Sequence, residues 1–335
     1  MNMLIPPLDW QRVFVQPWTQ DFETSFWIVL TGFLAAAACG LVGNFLLLRR
    51  VAMVGDAISH SVLFGLVAAF LVVREISTVP MFLAAVATGI LTVGLVEFIH
   101  RNSRIKADAA LCIVFTTLFA AAIVMLGVAE VGGPVHIDPE CVLFGEIAFV
   151  PLEPPLVWNG IPIGPPSTLR IAGVLVVLVA VGAVFYKELL VTSFDSGLAR
   201  SLGMRTGFWN YGLMAAVSVV VVSVFEAVGS ILPVAMLIVP GMFAAQLSDR
   251  MATRFLLTVV HAAAGALIGY HLSVWLDCSP AGAMVVAGSA LFAAAWGQLR
   301  HDPPGKANPW GKSGFICHRA GGGVALALPN DRSDS

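Results

Sequence analysis

The segment Phe26–Leu48 reads FWIVLTGFLAAAACGLVGNFLLL and contains no charged residue. It supplies the roughly 20 residues that a helix needs to cross the hydrocarbon of a bilayer. Further apolar runs of similar length follow, and they are too long and too unbroken for the alternating strands of an outer-membrane barrel. Because backbone groups in lipid must hydrogen-bond within the protein, these runs predict transmembrane helices.

The composition of the whole chain agrees with a membrane protein. Of its 335 residues, 58% are hydrophobic and 11% are charged, whereas ordinary soluble domains carry about 25% charged residues. A soluble fold would need far more polar surface than this. The five cysteines form no CxxC pair, which argues against a zinc knuckle or a disulfide framework. We expect the lipid bilayer as a partner and no nucleic acid.

The apolar runs predict an all-α fold, a polytopic transmembrane helical bundle of about nine spans, with eight to ten allowed by the uncertain boundaries. The predicted spans are Phe26–Leu48, Val54–Val73, Val79–Phe98, Ala109–Ala129, Leu169–Tyr186, Asn210–Val228, Ile231–Gln246, Arg254–Ser273 and Ala281–Leu299. Residues 1–25 would form an extracytoplasmic segment, residues 26–299 the transmembrane domain, and residues 300–335 a polar, loosely ordered tail.

The basic residues predict the orientation of the chain. Of the 18 Lys and Arg residues, all but Arg12, Arg74 and Arg170 fall in alternate connections or in the tail. Basic residues concentrate on the cytoplasmic side of membrane proteins. We therefore expect a multi-pass protein of the bacterial inner membrane, with the N-terminus outside and the C-terminus in the cytoplasm.

Asp56 and His60 open the second predicted span, and ionisable residues inside a membrane are candidates for function. Residues four apart project from one face of a helix, where a carboxylate oxygen and an imidazole nitrogen can share a divalent first-row cation. Ser59 lies one residue off that face and is a weaker candidate. The same spacing also allows a helix-entry aspartate that simply holds the histidine by a hydrogen bond.

Glu226 is a second acidic candidate, within the otherwise apolar run Val219–Val228. It precedes a break at Gly229–Pro233, and broken helices near membrane depth are where transporters often bind ions and substrates. The alternative is a glutamate at the outer end of a span, facing water. The residues alone leave both interpretations open.

The segment 194–203, FDSGLARSLG, lies on the cytoplasmic side of the predicted topology. Asp195 near its start and Gly203 at its end are typical signals of a short helix. Leu198 and Leu202 lie four residues apart and would present an apolar ridge to a partner. A simple connecting loop is the alternative.

The segment Leu48–Leu63, LRRVAMVGDAISHSVL, resembles the LRRMALMGDALSHAVLPG signature of the membrane permease subunits of ATP-binding-cassette importers for manganese, zinc and iron. Residues 194–203 resemble the cytoplasmic coupling element of that family, and residues 227–240 resemble its VGxxL…AMLIxP helix. The resemblance covers residues 26–296. Phe64 stands where the family usually has proline, a departure that leaves Asp56 and His60 untouched.

The resemblance implies a transport subunit rather than an enzyme. An extracytoplasmic metal-binding protein would deliver the ion to a pair of permeases, either two copies of this chain or one copy and a related permease. A separate cytoplasmic ATP-binding subunit would hydrolyse ATP. The metal would pass through as cargo, with no cofactor permanently bound.

The resemblance also assigns residues. The family places the aspartate and histidine of its GDxxSH motif along the metal path, which carries over to Asp56 and His60, with Glu226 as a candidate third ligand. The implied coupling helix, residues 194–203, would contact the ATP-binding subunit through a set of five residues. These are Asp195, Leu198, Ala199, Leu202 and Gly203.

A polytopic membrane protein could also belong to two other classes of function. An ion-gradient-driven secondary transporter of a cation or small solute would share the intramembrane carboxylates, and it is the main alternative. An intramembrane enzyme would need a nucleophile or a complete metal-hydrolase set, and the sequence has no HExxH motif. A ligand set without thiolate suits transient binding better than a closed cysteine cage, but it does not choose among Mn, Zn and Fe.

Overall fold

The structure is a computed structural model that describes residues 7–73, 78–131, 146–158, 160–229 and 231–301. The described residues are mainly helical. The helices are α1 Gln16–Thr19, α2 Phe22–Arg49, α3 Val54–Val73, α4 Thr78–Asn102, α5 Ala107–Val131, α6 Pro166–Val184, α7 Tyr186–Phe194, α8 Ser196–Ser201, α9 Thr206–Val228, α10 Ile231–Leu247, α11 Met251–Leu276 and α12 Pro280–His301.

Shorter elements complete the described chain. A π-helical turn, Gln11–Val15, precedes α1, and a 3-10 turn, Ile147–Leu152, follows α5 in the chain. The strands β1, Leu156–Trp158, and β2, Ile161–Gly164, form an antiparallel hairpin before α6.

Eight of the described helices are long and apolar enough to cross a membrane, namely α2 to α6, α9, α11 and α12. This confirms the prediction of a polytopic helical bundle. All nine predicted spans are helices, but the seventh is the 17-residue α10. At ~1.5 Å per residue, α10 falls short of the ~30 Å hydrocarbon thickness. The orientation of the termini stays a prediction.

The helix α2 lies at the centre of the packing, because it contacts α6, α9, α10 and α11. Its middle is lined with small buried side chains from Ala35 to Cys39. At Gly43, an added Cβ would collide with the backbone carbonyl of Leu237 on α10. Only glycine therefore permits this approach of two backbones, a common device in membrane helix packing.

The helix α3 is held from two sides, by α4 and by α5. Ile58 belongs to the main apolar core of the bundle. Further along the helix, Leu63 and Val67 form a second, smaller cluster with Ala122 and Leu126 of α5. This double packing fixes the rotation of α3, and hence the direction in which its polar first turns face.

The predicted tail, residues 300–335, lies outside the described residues from residue 302 onward. Residues 132–145, between the fourth and fifth predicted spans, also lie outside them. Within the predicted N-terminal segment, residues 1–25, α1 and the first residues of α2 are helical. The domain boundaries themselves stay predictions.

Candidate functional site

Asp56 and His60 meet at the start of α3. Asp56 lies in the first turn of that helix, and its Oδ1 atom is 3.3 Å from the Nε2 atom of His60. The side chains remain 29% and 35% exposed, respectively. Both groups therefore contact each other and still have a free edge from which to reach a ligand.

Two phenylalanines of α5 contact the imidazole ring of His60. The ring of Phe115 lies 5.7 Å away and nearly parallel, and the ring of Phe119 lies 6.1 Å away and edge-on. Aromatic contacts of this kind restrict the orientation of a side chain. Sequence reasoning missed these residues, although their spacing of four places them on one face of α5.

Ser59 is buried, unlike Asp56 and His60, which are part-exposed. Its Oγ donates a hydrogen bond to the carbonyl of Gly55, at 3.0 Å. The hydroxyl is thereby occupied with the backbone of its own helix. This position agrees with the interpretation, from the spacing, that Ser59 is a weaker candidate for a metal ligand than Asp56 and His60.

Glu226 forms an ion pair with Arg170 of α6. The guanidinium carbon of Arg170 also lies 5.7 Å from the centre of the Phe82 ring on α4. Across the residues that the structure describes, no three His, Cys, Asp or Glu side chains form a group that could hold a metal ion. The structure thus does not gather Glu226 with Asp56 and His60, and its role as third ligand stays a prediction.

A short helix, α8, occupies Ser196–Ser201 within the predicted coupling segment. The Asp195 carboxylate caps its start, accepting the N–H groups of Gly197 at 2.8 Å and Leu198 at 3.1 Å. Such a cap satisfies donors that a helix leaves unpaired at its N-terminus. Asp195 therefore shapes the start of the segment, and its contact with the ATP-binding subunit stays a prediction.

The end of α8 is a left-handed stop at Gly203, whose φ is 79°. The N–H of Met204 returns to the carbonyl of Ala199 at 3.0 Å, and the N–H of Gly203 returns to Arg200. This pattern is a Schellman cap, in which glycine tolerates the positive φ. It ends α8 after six residues.

The side chains of residues 194–203, which contain α8, divide into a buried anchor and an exposed apolar ridge. Ala199 is completely buried, whereas Leu198 is 52% and Leu202 is 64% exposed. Phe194, just before the cap, is 72% exposed. Residues 194–203, a segment too short to cross a membrane, therefore expose three large apolar side chains.

Comparison with known proteins shows the family of the chain. Residues 21–297 match the ABC 3 transport family. The chain belongs to this family. The matched range begins just before α2 and ends within α12, so it contains the Asp56–His60 pair and α8. The family match, together with the apolar helices, makes the chain a multi-pass membrane permease of ATP-binding-cassette transport, and it favours this function over the ion-gradient-driven alternative.

Relatives within the ABC 3 family are similar over most of their length. The chain is 42% identical over 270 residues to the manganese transport system membrane protein MntD of Bacillus subtilis, covering 81% of this chain and 90% of the relative. It is 36% identical over 268 residues to the zinc transport system membrane protein TroD of Treponema pallidum, covering 79% of this chain and 71% of the relative.

Among solved structures, PsaBC from Streptococcus pneumoniae in complex with Fab has a similar fold. The TM-score is 0.69 at 28% sequence identity, over 84% of this chain and 94% of the solved chain. The fold expected from the sequence resemblance is therefore confirmed.

Proposed function

We propose that this chain is the permease subunit that carries a divalent transition-metal ion, Mn, Zn or Fe, inward across the bacterial inner membrane. The observation that carries the proposal is the Asp56–His60 pair, with 3.3 Å between its polar atoms and both side chains part-exposed. The pair lies inside residues 21–297, which match the ABC 3 transport family, and two relatives of the chain are named for manganese and zinc transport.

The pair offers one carboxylate and one imidazole to the ion. Both ligand types suit first-row divalent cations, and neither selects strongly among them. Because only two ligands come from α3, the remaining positions on the ion would be filled by water or by a second permease copy. Such partial coordination strips some water from the ion and still permits its release, which transport requires.

Two partners follow from the same proposal. A cytoplasmic ATP-binding subunit would hydrolyse ATP and dock on α8, where Leu198 and Leu202 are exposed beside the anchoring Ala199. An extracytoplasmic metal-binding protein would deliver the ion to a pair of permeases. This chain itself would then carry out no ATP chemistry.

The test of the proposal is transport by the reconstituted complex. Proteoliposomes would contain the permease with its ATP-binding subunit, the metal-binding protein outside and ATP inside. We expect uptake of radioactive Mn²⁺, Zn²⁺ or Fe²⁺ that requires ATP and the ATP-binding subunit. Uptake that follows an imposed ion gradient without ATP would contradict the proposal.

The docking surface on α8 is tested separately. Leu198→Ser and Leu202→Ser remove apolar area from the exposed ridge, so we expect about tenfold weaker association with the ATP-binding subunit for the pair of changes. Ser201→Ala, on the same exposed helix, serves as the matched control. Unchanged association in the double variant would contradict docking at α8.

A further inference from the structure

Arg49, at the end of α2, joins three helices through its guanidinium group. Its Nε donates to the Ser193 Oγ at 2.9 Å and its Nη1 donates to the Asn210 Oδ1 at 2.8 Å. Its Nη2 donates to the Thr192 Oγ1 at 3.3 Å. One side chain therefore ties α2 to the end of α7 and to the first turns of α9.

The residues that Arg49 contacts lie before and after α8 in the chain. Ser193 lies two residues before Asp195, the cap of α8, and Asn210 lies at the start of α9, shortly after Gly203. The segment that carries the exposed leucines is thus attached at both of its ends to the same cation on α2.

The three partners are neutral, and two of them are enclosed. Thr192 is 6% and Ser193 is 7% exposed. The Thr192 hydroxyl also donates to the carbonyl of Glu188 at 2.8 Å, which leaves its oxygen lone pairs for Arg49. Hydrogen bonds from a cationic donor are stronger than those between neutral groups. The three contacts therefore hold the end of α2 to α7 and α9.

Arg49 is also close in the chain to the candidate metal ligands. The chain leaves α2 through Arg50, in the left-handed conformation with a φ of 59°, and the N–H of Val51 returns to the carbonyl of Leu46 at 3.0 Å. The helix α3 then begins at Val54, with Asp56 in its first turn. A displacement of the end of α2 therefore reaches Asp56 through a short, hydrogen-bonded turn.

We propose that Arg49 is a positioning residue that couples movement of α8 to the start of α3 and so to Asp56. The inference rests on the proposed function, because it assumes that the ATP-binding subunit docks on α8. Arg49 contacts neither the metal nor ATP. Arg49 keeps both ends of residues 194–203, which contain α8, in a fixed position relative to α2, the helix that precedes the Asp56–His60 pair.

The experiment compares Arg49→Gln with Arg50→Gln in the full reconstituted complex. Both changes remove one guanidinium from adjacent positions, and Arg50 is exposed, so it is the matched control. The readout is the number of Mn²⁺ ions moved per ATP hydrolysed. For Arg49→Gln we expect this ratio to fall about tenfold, the effect of losing a charged hydrogen bond, while Arg50→Gln keeps the wild-type ratio.

A conservative variant separates positioning from charge alone. Arg49→Lys keeps the positive charge but lacks the planar fork that reaches three acceptors. We expect it to restore only part of the ratio. Full restoration by lysine would overturn the proposal, since charge without the three contacts would then suffice.

A variant on the partner side covers the case in which Arg49→Gln fails to assemble. Ser193→Ala with Asn210→Ala removes two acceptors and keeps the cation, and we expect fewer ions per ATP at normal assembly. An unchanged number of ions per ATP in that double variant would overturn the coupling role. An equal loss of ATP hydrolysis and of uptake in assembled Arg49→Gln would overturn it too. If the wild-type complex hydrolyses ATP without moving metal, the proposed function fails, and the coupling role that rests on it fails with it.

Discussion

Asp56 and Glu226 are both single carboxylates in apolar helices, yet the structure gives them opposite partners. Asp56 faces His60, whose imidazole is a metal ligand when neutral. Glu226 faces Arg170, whose guanidinium keeps its positive charge. A carboxylate beside an imidazole has a second type of metal ligand next to it, whereas a carboxylate beside arginine has an opposite charge next to it. The comparison teaches that the partner, more than the acidic residue, separates a candidate metal site from a structural ion pair.

We expect the largest loss of metal uptake for Asp56→Asn. The amide keeps the size of the side chain and its hydrogen-bonding reach toward His60, but it removes the negative charge and the best oxygen ligand. We expect ATP-driven Mn²⁺ uptake to fall about 100-fold, since even partners outside the direct ligand set change metal affinity by 10- to 100-fold. Radiometal uptake at equal amounts of assembled complex measures it. Wild-type uptake would remove Asp56 from the metal path.

A smaller loss is expected for His60→Gln. Glutamine retains a polar side chain near Phe115 and Phe119 but lacks the imidazole nitrogen that first-row metals favour. We predict about tenfold lower uptake, because Asp56 remains as the charged ligand. The affinity for metal, read from the concentration dependence of uptake, should weaken in parallel. If uptake changes at saturating metal while affinity does not, His60 acts in helix packing instead.

For the ion pair between Glu226 and Arg170, we predict that a substitution changes the stability of the protein rather than its affinity for metal. Glu226→Gln removes one of the two acidic neighbours of the Arg170 guanidinium and leaves Glu153. The detergent-solubilised protein should therefore unfold a few degrees lower, for a loss of about 1 kcal/mol at a part-exposed pair. The double change Arg170→Gln with Glu226→Gln should recover most of that loss. Weakened metal affinity with unchanged stability would instead support Glu226 as a third ligand.

The smallest effect is expected for Ser59→Ala, which serves as the control for the first two predictions. Its hydroxyl bonds the carbonyl of Gly55 within the same helix, and such bonds contribute little to a helix. We therefore expect uptake within about twofold of the wild type, because no ligand is removed. A tenfold loss would place Ser59 at the ion and widen the site beyond the Asp56–His60 face.

Features that depend on neighbours in the chain could be predicted from the sequence. The apolar lengths predicted the helical bundle, because the thickness of the hydrocarbon sets the length of a span. The four-residue spacing placed Asp56 next to His60, because a helical turn brings those positions together. Asp195 and Gly203 marked the ends of α8 by the same kind of local chemistry.

Features that depend on which helices meet were decided by the tertiary structure alone. The pairing of Arg170 with Glu226, the phenylalanines beside His60 and the three contacts of Arg49 each join residues from different helices. A single sequence carries no signal for such pairs, because helix rotation and register are set by packing across the bundle. The sequence thus determined a membrane helical protein and its local Asp–His pair, and the tertiary structure decided which charges are already compensated.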